Sequence, residues 1–203
     1  MRDRLEEALR KSDAEYADIR IEDATSSWIN FRGKELDSIG SSKSLGGIVR
    51  ALVKGGWGYA TFNDLSDLGN RVKEACESAK MVGKEETQFA PVEPVVDFMK
   101  ATLEKDFREI SLSDKKSTVE EYNEIALGHH NKIQTTSVGY GDNFRKIWFA
   151  SSEGTYIEDE RPNTFLYVNA TAREGNNVQN GFESVSGKTG FQLIEGFQKR
   201  AEK

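Results

Sequence analysis

The chain is poor in the residues from which many compact sites are built: its 203 residues include one cysteine, two histidines and three prolines. The single Cys76 excludes a disulfide within the chain. The two histidines, His129 and His130, are adjacent, and neighbouring side chains diverge on a helix or a strand, so they rarely share a metal ion. The composition therefore argues against a disulfide scaffold and against a histidine-rich metal centre.

Long apolar runs are also missing. A membrane span needs about 20 apolar residues, and even residues 48–53 are interrupted by Arg50. The first thirteen residues mix both charge signs and contain no apolar core of the kind that a secretory signal requires. We therefore expect a cytoplasmic protein with no membrane partner.

The chain has no excess of positive charge. It carries 28 Lys and Arg against 34 Asp and Glu, a net charge of -6, and the two signs are interspersed. A nucleic-acid-binding surface needs a basic patch to neutralise phosphates. Nucleic acid is therefore not an expected partner.

Aromatic and aliphatic residues are plentiful enough for a folded core. Hydrophobic residues make up 36% of the chain and include 11 Phe, 6 Tyr and 3 Trp. A chain of this length forms one large domain or two modest ones. We expect a buried core under a charged surface.

In the first part of the chain, the spacing of the apolar residues changes twice between a helical and a strand-like pattern. Leu5, Ala8 and Leu9 predict a short opening helix, and alternation over residues 16–22 and 28–32 predicts strands. Residues 45–62 read as a hairpin that turns at Gly55-Gly56. A helix follows, capped by Asn63 or Asp64, ended by Gly83, and carrying an apolar stripe of Leu65, Leu68, Val72, Cys76 and Ala79.

The second part follows a segment that contains Pro91 and Pro94, which we interpret as a linker at residues 84–97. We predict a helix near 118–127 with a capping box at Ser117, followed by four strands between residues 132 and 174. A polar loop or edge strand and a closing helix from Phe191 to Ala201 complete the prediction.

These patterns predict an α+β fold, a two-layer α/β sandwich with a largely antiparallel sheet and helices on one face. We divide it into halves 1–92 and 93–203, which together form one domain, and their similar element order is compatible with an internal duplication.

Candidate sites are weak. His129 and His130 are best explained as loop residues after a helix, and Cys76 as a core residue. Gly55-Gly56-Trp57-Gly58 lacks the spacing of a phosphate-binding loop and is better explained as a hairpin.

Two further groups have plain structural explanations. Glu158, Asp159 and Glu160 could bind a cation together with Asp142, but a solvated strand end explains them better. Trp28, Trp57 and Trp148 could line a pocket, although core packing suffices. Neither a serine nor a threonine has an evident base partner. We therefore assign no catalytic, cofactor-binding or metal-binding residue.

Several runs taken together resemble one family. Residues 45–67, LGGIVRALVKGGWGYATFNDLSD, followed by RVKEACESAK, resemble the N-terminal domain of the TldD/PmbA proteins. Residues 147–174 resemble a later signature of that family and lead into GFESVSGKTGF, which departs from the family's more glycine-rich version. The Gly-Trp-Gly form of the hairpin favours the TldD-like subunit.

The resemblance implies a zinc metallopeptidase built from two related subunits, with an HExxxH helix in the C-terminal half of the TldD-like one. That motif does not occur in these 203 residues. The family's first domain is implied to shape the chamber and to pack against the partner subunit. Its historical name, modulator of DNA gyrase, does not imply DNA binding here.

We therefore predict the N-terminal scaffold and substrate-channel domain of a TldD-like zinc metallopeptidase, inactive by itself and either a piece of a longer protein or a natural short one. No cofactor is expected in this chain, and zinc is expected in the full-length family member. Expected partners are the C-terminal peptidase half, a TldD/PmbA-type subunit and peptide substrates, and a homo-oligomer is left open.

Two other functions compete with this prediction. The first is a free-standing module that binds peptides or proteins by strand addition. The second is an enzyme in which His129 or His130 meets the acidic residues 158–160.

Overall fold

A computed structural model describes residues 1–85, 87 and 89–198. The helices are α1 (Arg2–Leu9), α2 (Leu68–Val82) and α3 (Leu112–Gly128), with short 3-10 turns at Phe107–Glu109 and Phe191–Leu193. The strands are β1 (Tyr16–Arg32), β2 (Glu35–Val53), β3 (Gly56–Phe62), β4 (Val96–Met99), β5 (Ile133–Ser151), β6 (Tyr156–Glu174) and β7 (Asn177–Gly187). None of the helices in this part of the chain is long and apolar enough to cross a membrane.

The seven strands form one sheet in the order β3-β2-β1-β5-β6-β4, and β7 also pairs with β6. β3 runs antiparallel to β2 and β7 runs antiparallel to β6, whereas β4 runs parallel to β6. The predicted α+β class with a largely antiparallel sheet is confirmed.

Four strands are unusually long, at 17 to 19 residues each, and each of them continues from one compact unit into another. Unit 1 contains residues 1–24, 44–100 and 145–160, and unit 2 contains residues 25–43, 101–144 and those from Arg161 onwards. The units therefore interleave along the chain and do not coincide with residues 1–92 and 93–203. The division into these halves and the internal duplication stay predictions.

Unit 1 packs α1 and α2 around the apolar faces of its strand segments. The predicted stripe of α2 is confirmed for Leu68, Val72, Cys76 and Ala79, which are all buried, whereas Leu65 precedes the helix and is only partly buried. The predicted cap is wrong: α2 begins after Asp67, whose side chain accepts a hydrogen bond from the backbone N–H of Asn70. Asp64 instead accepts from the N–H of Ser66 and forms a turn before the helix.

Unit 2 packs α3 against its own strand segments through Val119, Tyr122 and Ala126. This helix begins six residues before the predicted start, because Ser111 caps it through the N–H of Asp114. Ser117 lies inside the helix and bonds back to the carbonyl of Ser113, so the predicted capping box is wrong.

The chain end differs from the predicted closing helix in its described part. Phe191 begins a 3-10 turn, Ile194 and Phe197 are buried, and Gly196 adopts a positive φ of 78°. A left-handed residue interrupts an α-helix, which explains why the pattern of three aromatic and aliphatic residues does not form one. The remainder of the prediction, residues 199–203, lies outside the described residues.

The four predicted strands between 132 and 174 are two long ones. The expected turn at Glu153-Gly154 exists, but β5 passes straight through Gly141-Asp142-Asn143 and β6 passes through Pro162. A Cβ at Gly141 would lie 2.3 Å from the Phe165 ring, so this glycine serves close packing. The predicted linker at residues 84–97 also differs from the structure, because its last two residues belong to β4, which pairs with β6 from Tyr156 onwards.

Candidate functional site

The histidine pair lies just beyond α3. His129 is the C-cap residue, and His130 accepts a hydrogen bond on Nδ1 from the backbone N–H of Lys132 at 3.1 Å. In the part of the chain that the structure describes, no group of three or more His, Cys, Asp or Glu side chains could hold a metal ion. The donor set of the described residues therefore does not fit a zinc site.

Two of the three acidic residues 158–160 pair with a lysine. Lys146 Nζ lies 3.2 Å from Glu158 and 3.4 Å from Glu160. The Tyr156 hydroxyl donates to Glu158 at 2.7 Å, and this hydrogen bond, assisted by Lys146, lowers the pKa of Glu158. Asp142 has other partners within unit 2, and no three of these carboxylates form a group that could hold a metal ion among the residues that the structure describes.

The three tryptophans have different surroundings. Trp57 contacts the rings of Tyr16 and Tyr59 at centroid distances of 6.0 and 6.4 Å. Trp148 packs at the edge of the unit 1 core, and Trp28 is partly exposed and covers Gly40. Trp28 belongs to unit 2, whereas Trp57 and Trp148 belong to unit 1.

Cys76 behaves as a core residue, as predicted. It is 2% exposed, and its Sγ lies 3.4 Å from the Ser12 hydroxyl.

A buried polar network in unit 2 was missed by the sequence reasoning. Lys115 and Asp142 are each 5% exposed in their side chains, and Lys115 Nζ lies 2.6 Å from Asp142 Oδ2. The same carboxylate oxygen accepts from the Ser27 hydroxyl at 2.5 Å and from the Tyr140 hydroxyl at 2.6 Å. Burial, together with the Asp142 charge, raises the pKa of Tyr140. A usable signal existed, because Lys115 precedes Val119 and Tyr122 at helical spacing on an apolar stripe.

Unit 2 also contains an open cavity of about 600 Å³, which we call the histidine cavity. The end of α3 and the strands β5, β6 and β7 line it, with apolar side chains next to polar ones. Its lining includes His129, His130, Ile133, Val168, Asn180 and Phe182. This volume is typical of sites that bind a small molecule or a short stretch of peptide.

One wall of the histidine cavity is β7, which pairs with β6 on one side only among the described strands. Phe182 of this strand is 63% exposed, and its ring stacks on Tyr167 at a centroid distance of 6.5 Å. An unpaired strand edge beside an exposed aromatic ring can accept an extended peptide.

The fold is shared with solved structures of longer proteins. It matches a Thermotoga maritima protein described as a modulator of DNA gyrase with a TM-score of 0.79 and 21% identity, over 99% of this chain and 46% of that one. It matches TldE of Thermococcus kodakarensis with a TM-score of 0.75 and 15% identity, over 100% of this chain and 46% of that one. These likenesses establish the α+β fold class.

Sequence comparison defines the family. Residues 17–80 match the model of the PmbA/TldA metallopeptidase domain 1, and residues 105–203 match that of the PmbA/TldA metallopeptidase central domain. The chain belongs to the PmbA/TldD family, as the motif resemblance predicted.

Relatives named as metalloproteases are about twice as long as this chain. A metalloprotease of Synechocystis sp. is 35% identical over 95% of this chain and 43% of its own length. A metalloprotease of Methanocaldococcus jannaschii is 30% identical, again over 95% of this chain and 43% of its own length. The chain thus spans less than half the length of these relatives.

Proposed function

We propose that this chain is the scaffold and substrate-channel part of a TldD-like zinc metallopeptidase, and that it holds peptide substrates without cleaving them. The observation that carries the proposal is the histidine cavity, one wall of which is β7, a strand that pairs only with β6 among the described strands and carries the exposed Phe182. Peptides bind such edges through backbone hydrogen bonds and place alternate side chains into the neighbouring pocket. The metalloprotease relatives support a peptide as the ligand.

Catalysis is proposed to need residues outside this chain. The sequence contains no HExxxH, and the described carboxylates and histidines do not converge on a common point. A zinc-bearing C-terminal peptidase half and a TldD/PmbA-type partner subunit are the proposed partners. The length of the relatives supports this part of the proposal.

The proposal is tested by titrating the 203-residue chain into a fluorescein-labelled unstructured peptide and measuring anisotropy. Saturable binding is expected. Phe182→Ser should weaken it about tenfold, which corresponds to about 1.4 kcal/mol, because the substitution removes the aromatic contact surface at the cavity wall. Val178→Ser is the matched control: Val178 is also an exposed apolar residue of β7, at 44%, but does not line the cavity.

Mass spectrometry of the same peptide, incubated with the chain and added zinc, tests the second half of the proposal. An intact peptide is expected. Cleavage that depends on zinc and disappears in a His129→Ala or His130→Ala variant would instead make the chain an enzyme in its own right. Equal weakening by both serine substitutions would show that peptide does not use the cavity.

The free-standing module remains the alternative function, and the open edge of β7 favours it equally. Hydrogen exchange distinguishes the two. A module that works by strand addition alone should protect β7 amides at full affinity in the isolated chain. A channel domain should gain affinity when its peptidase half is present.

A further inference from the structure

A second cavity in unit 2, of about 430 Å³, lies next to the buried network around Lys115. We call it the lysine cavity. Its wall contains five hydroxyl side chains, and two of these, Ser26 and Ser42, lie 2.8 Å apart. The hydroxyl residues are Thr25, Ser26, Ser27, Ser41 and Ser42.

Positive charge predominates in the lining of this cavity, although the chain as a whole carries a net charge of -6. Lys43, Arg108 and Lys115 contribute cations, and Asp142 is the one carboxylate among the lining residues. The carboxylate is already engaged by three donors on a single oxygen atom. It therefore offsets the charge of Lys115, and Arg108 is paired with Asp106, so the charge of Lys43 is the one that remains without a carboxylate partner among the described residues.

The donors of the wall are not all used by the protein. The Lys115 ammonium has three N–H groups, and its recorded bonds to Ser27 and Asp142 use two of them. Lys43 is exposed and forms no ion pair with any residue that the structure describes. Serine hydroxyls can each donate one hydrogen bond.

We propose that the lysine cavity binds a small oxyanion, a carboxylate or phosphate group, through Lys43, Lys115 and the serine hydroxyls. Charge-assisted hydrogen bonds to such a group are stronger than neutral ones. Asp142 orients Lys115 for this contact and keeps the ammonium in place when the cavity is empty. Ile110 and Leu112, which also line the cavity, suit a ligand with a short apolar part.

A buried ion pair that serves only stability would explain Lys115 and Asp142, but it would not require Lys43 or Ser42. The test therefore uses these two residues, which lie outside the pair. Backbone amide shifts of the 203-residue chain are followed by NMR during titration with inorganic phosphate and, separately, with acetate, against sodium chloride at equal ionic strength.

Saturable shifts are expected at residues 41–43 and 110–115 for the oxyanion that the cavity prefers. Lys43→Gln should raise its dissociation constant about tenfold, since it removes one charge-assisted hydrogen bond, and Ser42→Ala should raise it less. Lys34→Gln, which removes an exposed lysine of the same unit that does not line the cavity, should leave it unchanged.

Comparison of the two titrations distinguishes a phosphate site from a carboxylate site. Linear shifts without saturation for both anions, or equal weakening by Lys43→Gln and Lys34→Gln, would overturn the proposal. Because the cavity differs from the one used in the peptide experiment, either proposal can fail while the other holds.

Discussion

Lys115 and Asp142 are buried together inside unit 2, where the free-energy cost of burying each charge depends on the presence of the other. Removing two charges from water costs several kcal/mol per ion, and the pair recovers this only through close contact and further hydrogen bonds. Ser27 and Tyr140 supply those bonds to the same carboxylate oxygen. The network therefore fixes the position of Lys115 at the wall of the lysine cavity.

Lys115→Met tests the network by leaving the Asp142 carboxylate buried without its cation. Urea unfolding should show a loss of about 3–5 kcal/mol in the free energy of unfolding. The double variant Lys115→Met/Asp142→Asn should be more stable than the Lys115→Met single variant, because no charge then remains buried. A double variant that is less stable would mean that the two residues do not act as a pair.

Asp106 provides a pH-dependent prediction. Arg108 donates to both of its carboxylate oxygens, at 3.0 Å from Nε to each, and holds the pKa of Asp106 below its ordinary value of 3.8. A depressed folded-state pKa contributes stability above the unfolded-state pKa and loses it as pH falls through the folded value.

Asp106→Asn should therefore reduce the free energy of unfolding at neutral pH, and the deficit should shrink as pH falls below 3.8. Urea unfolding across this range measures it. A deficit that is independent of pH would point to a loss of packing rather than of the ion pair.

At the scale of elements, local periodicity predicted α2 and the β2–β3 hairpin, whose turn lies one residue earlier than predicted, at Lys54-Gly55. It divided the strands too finely, because the two predicted over residues 16–32 are the single strand β1 and the four predicted over residues 132–174 are β5 and β6. It failed where tertiary contacts decide the outcome. Gly141-Asp142-Asn143 reads as a turn, yet the segment stays extended because Asp142 is held by three donors and Gly141 packs against Phe165. Both cavities combine residues from distant segments, so spacing along the chain could not reveal them.

Gly58 shows why the Gly-Trp-Gly hairpin needs its glycines. A Cβ on this residue would lie 2.0 Å from the carbonyl oxygen of Ala75 and 2.3 Å from the backbone nitrogen of Ala79. The backbones of β3 and α2 therefore touch at this point. Only glycine allows that approach without displacing the helix.

Gly58→Ala should accordingly lower the free energy of unfolding by about 1–3 kcal/mol or more, because neither backbone can yield as a flexible side chain would. Gly181→Ala is the matched control, since Gly181 also lies in a strand and has open space around its added Cβ. Thermal or urea unfolding of both variants checks the difference. Equal effects would mean that strand glycines matter here only through backbone entropy.

At the scale of the whole molecule, the family could be predicted from the order of several matched runs, whereas no single residue identified a function. The runs contain glycines and apolar residues that specify close packing, which is why they reveal fold and family. The oxyanion and peptide proposals depend on side-chain geometry that only the folded chain supplies. Recognition of the family and assignment of a site thus rest on different residues.

The segment around β4 exposes more apolar surface than a solvated strand edge requires. Phe98 is 57% exposed, and Val92, Val95, Val96 and Met99 are exposed as well. β4 also ends the strand order of the sheet and pairs with β6 on one side among the described strands. An exposed apolar edge strand of this kind promotes association between chains.

We therefore expect the 203-residue chain to self-associate with increasing concentration, as measured by light scattering or sedimentation velocity. Phe98→Lys should shift the equilibrium toward monomer by placing a charge on the edge strand. Met81→Lys is the control, because Met81 is 84% exposed but lies on α2, and a charge there should leave association unchanged. Monomeric behaviour of the unmodified chain at high concentration would contradict the prediction, and an equal response to both lysine substitutions would assign the association to net charge instead of to β4.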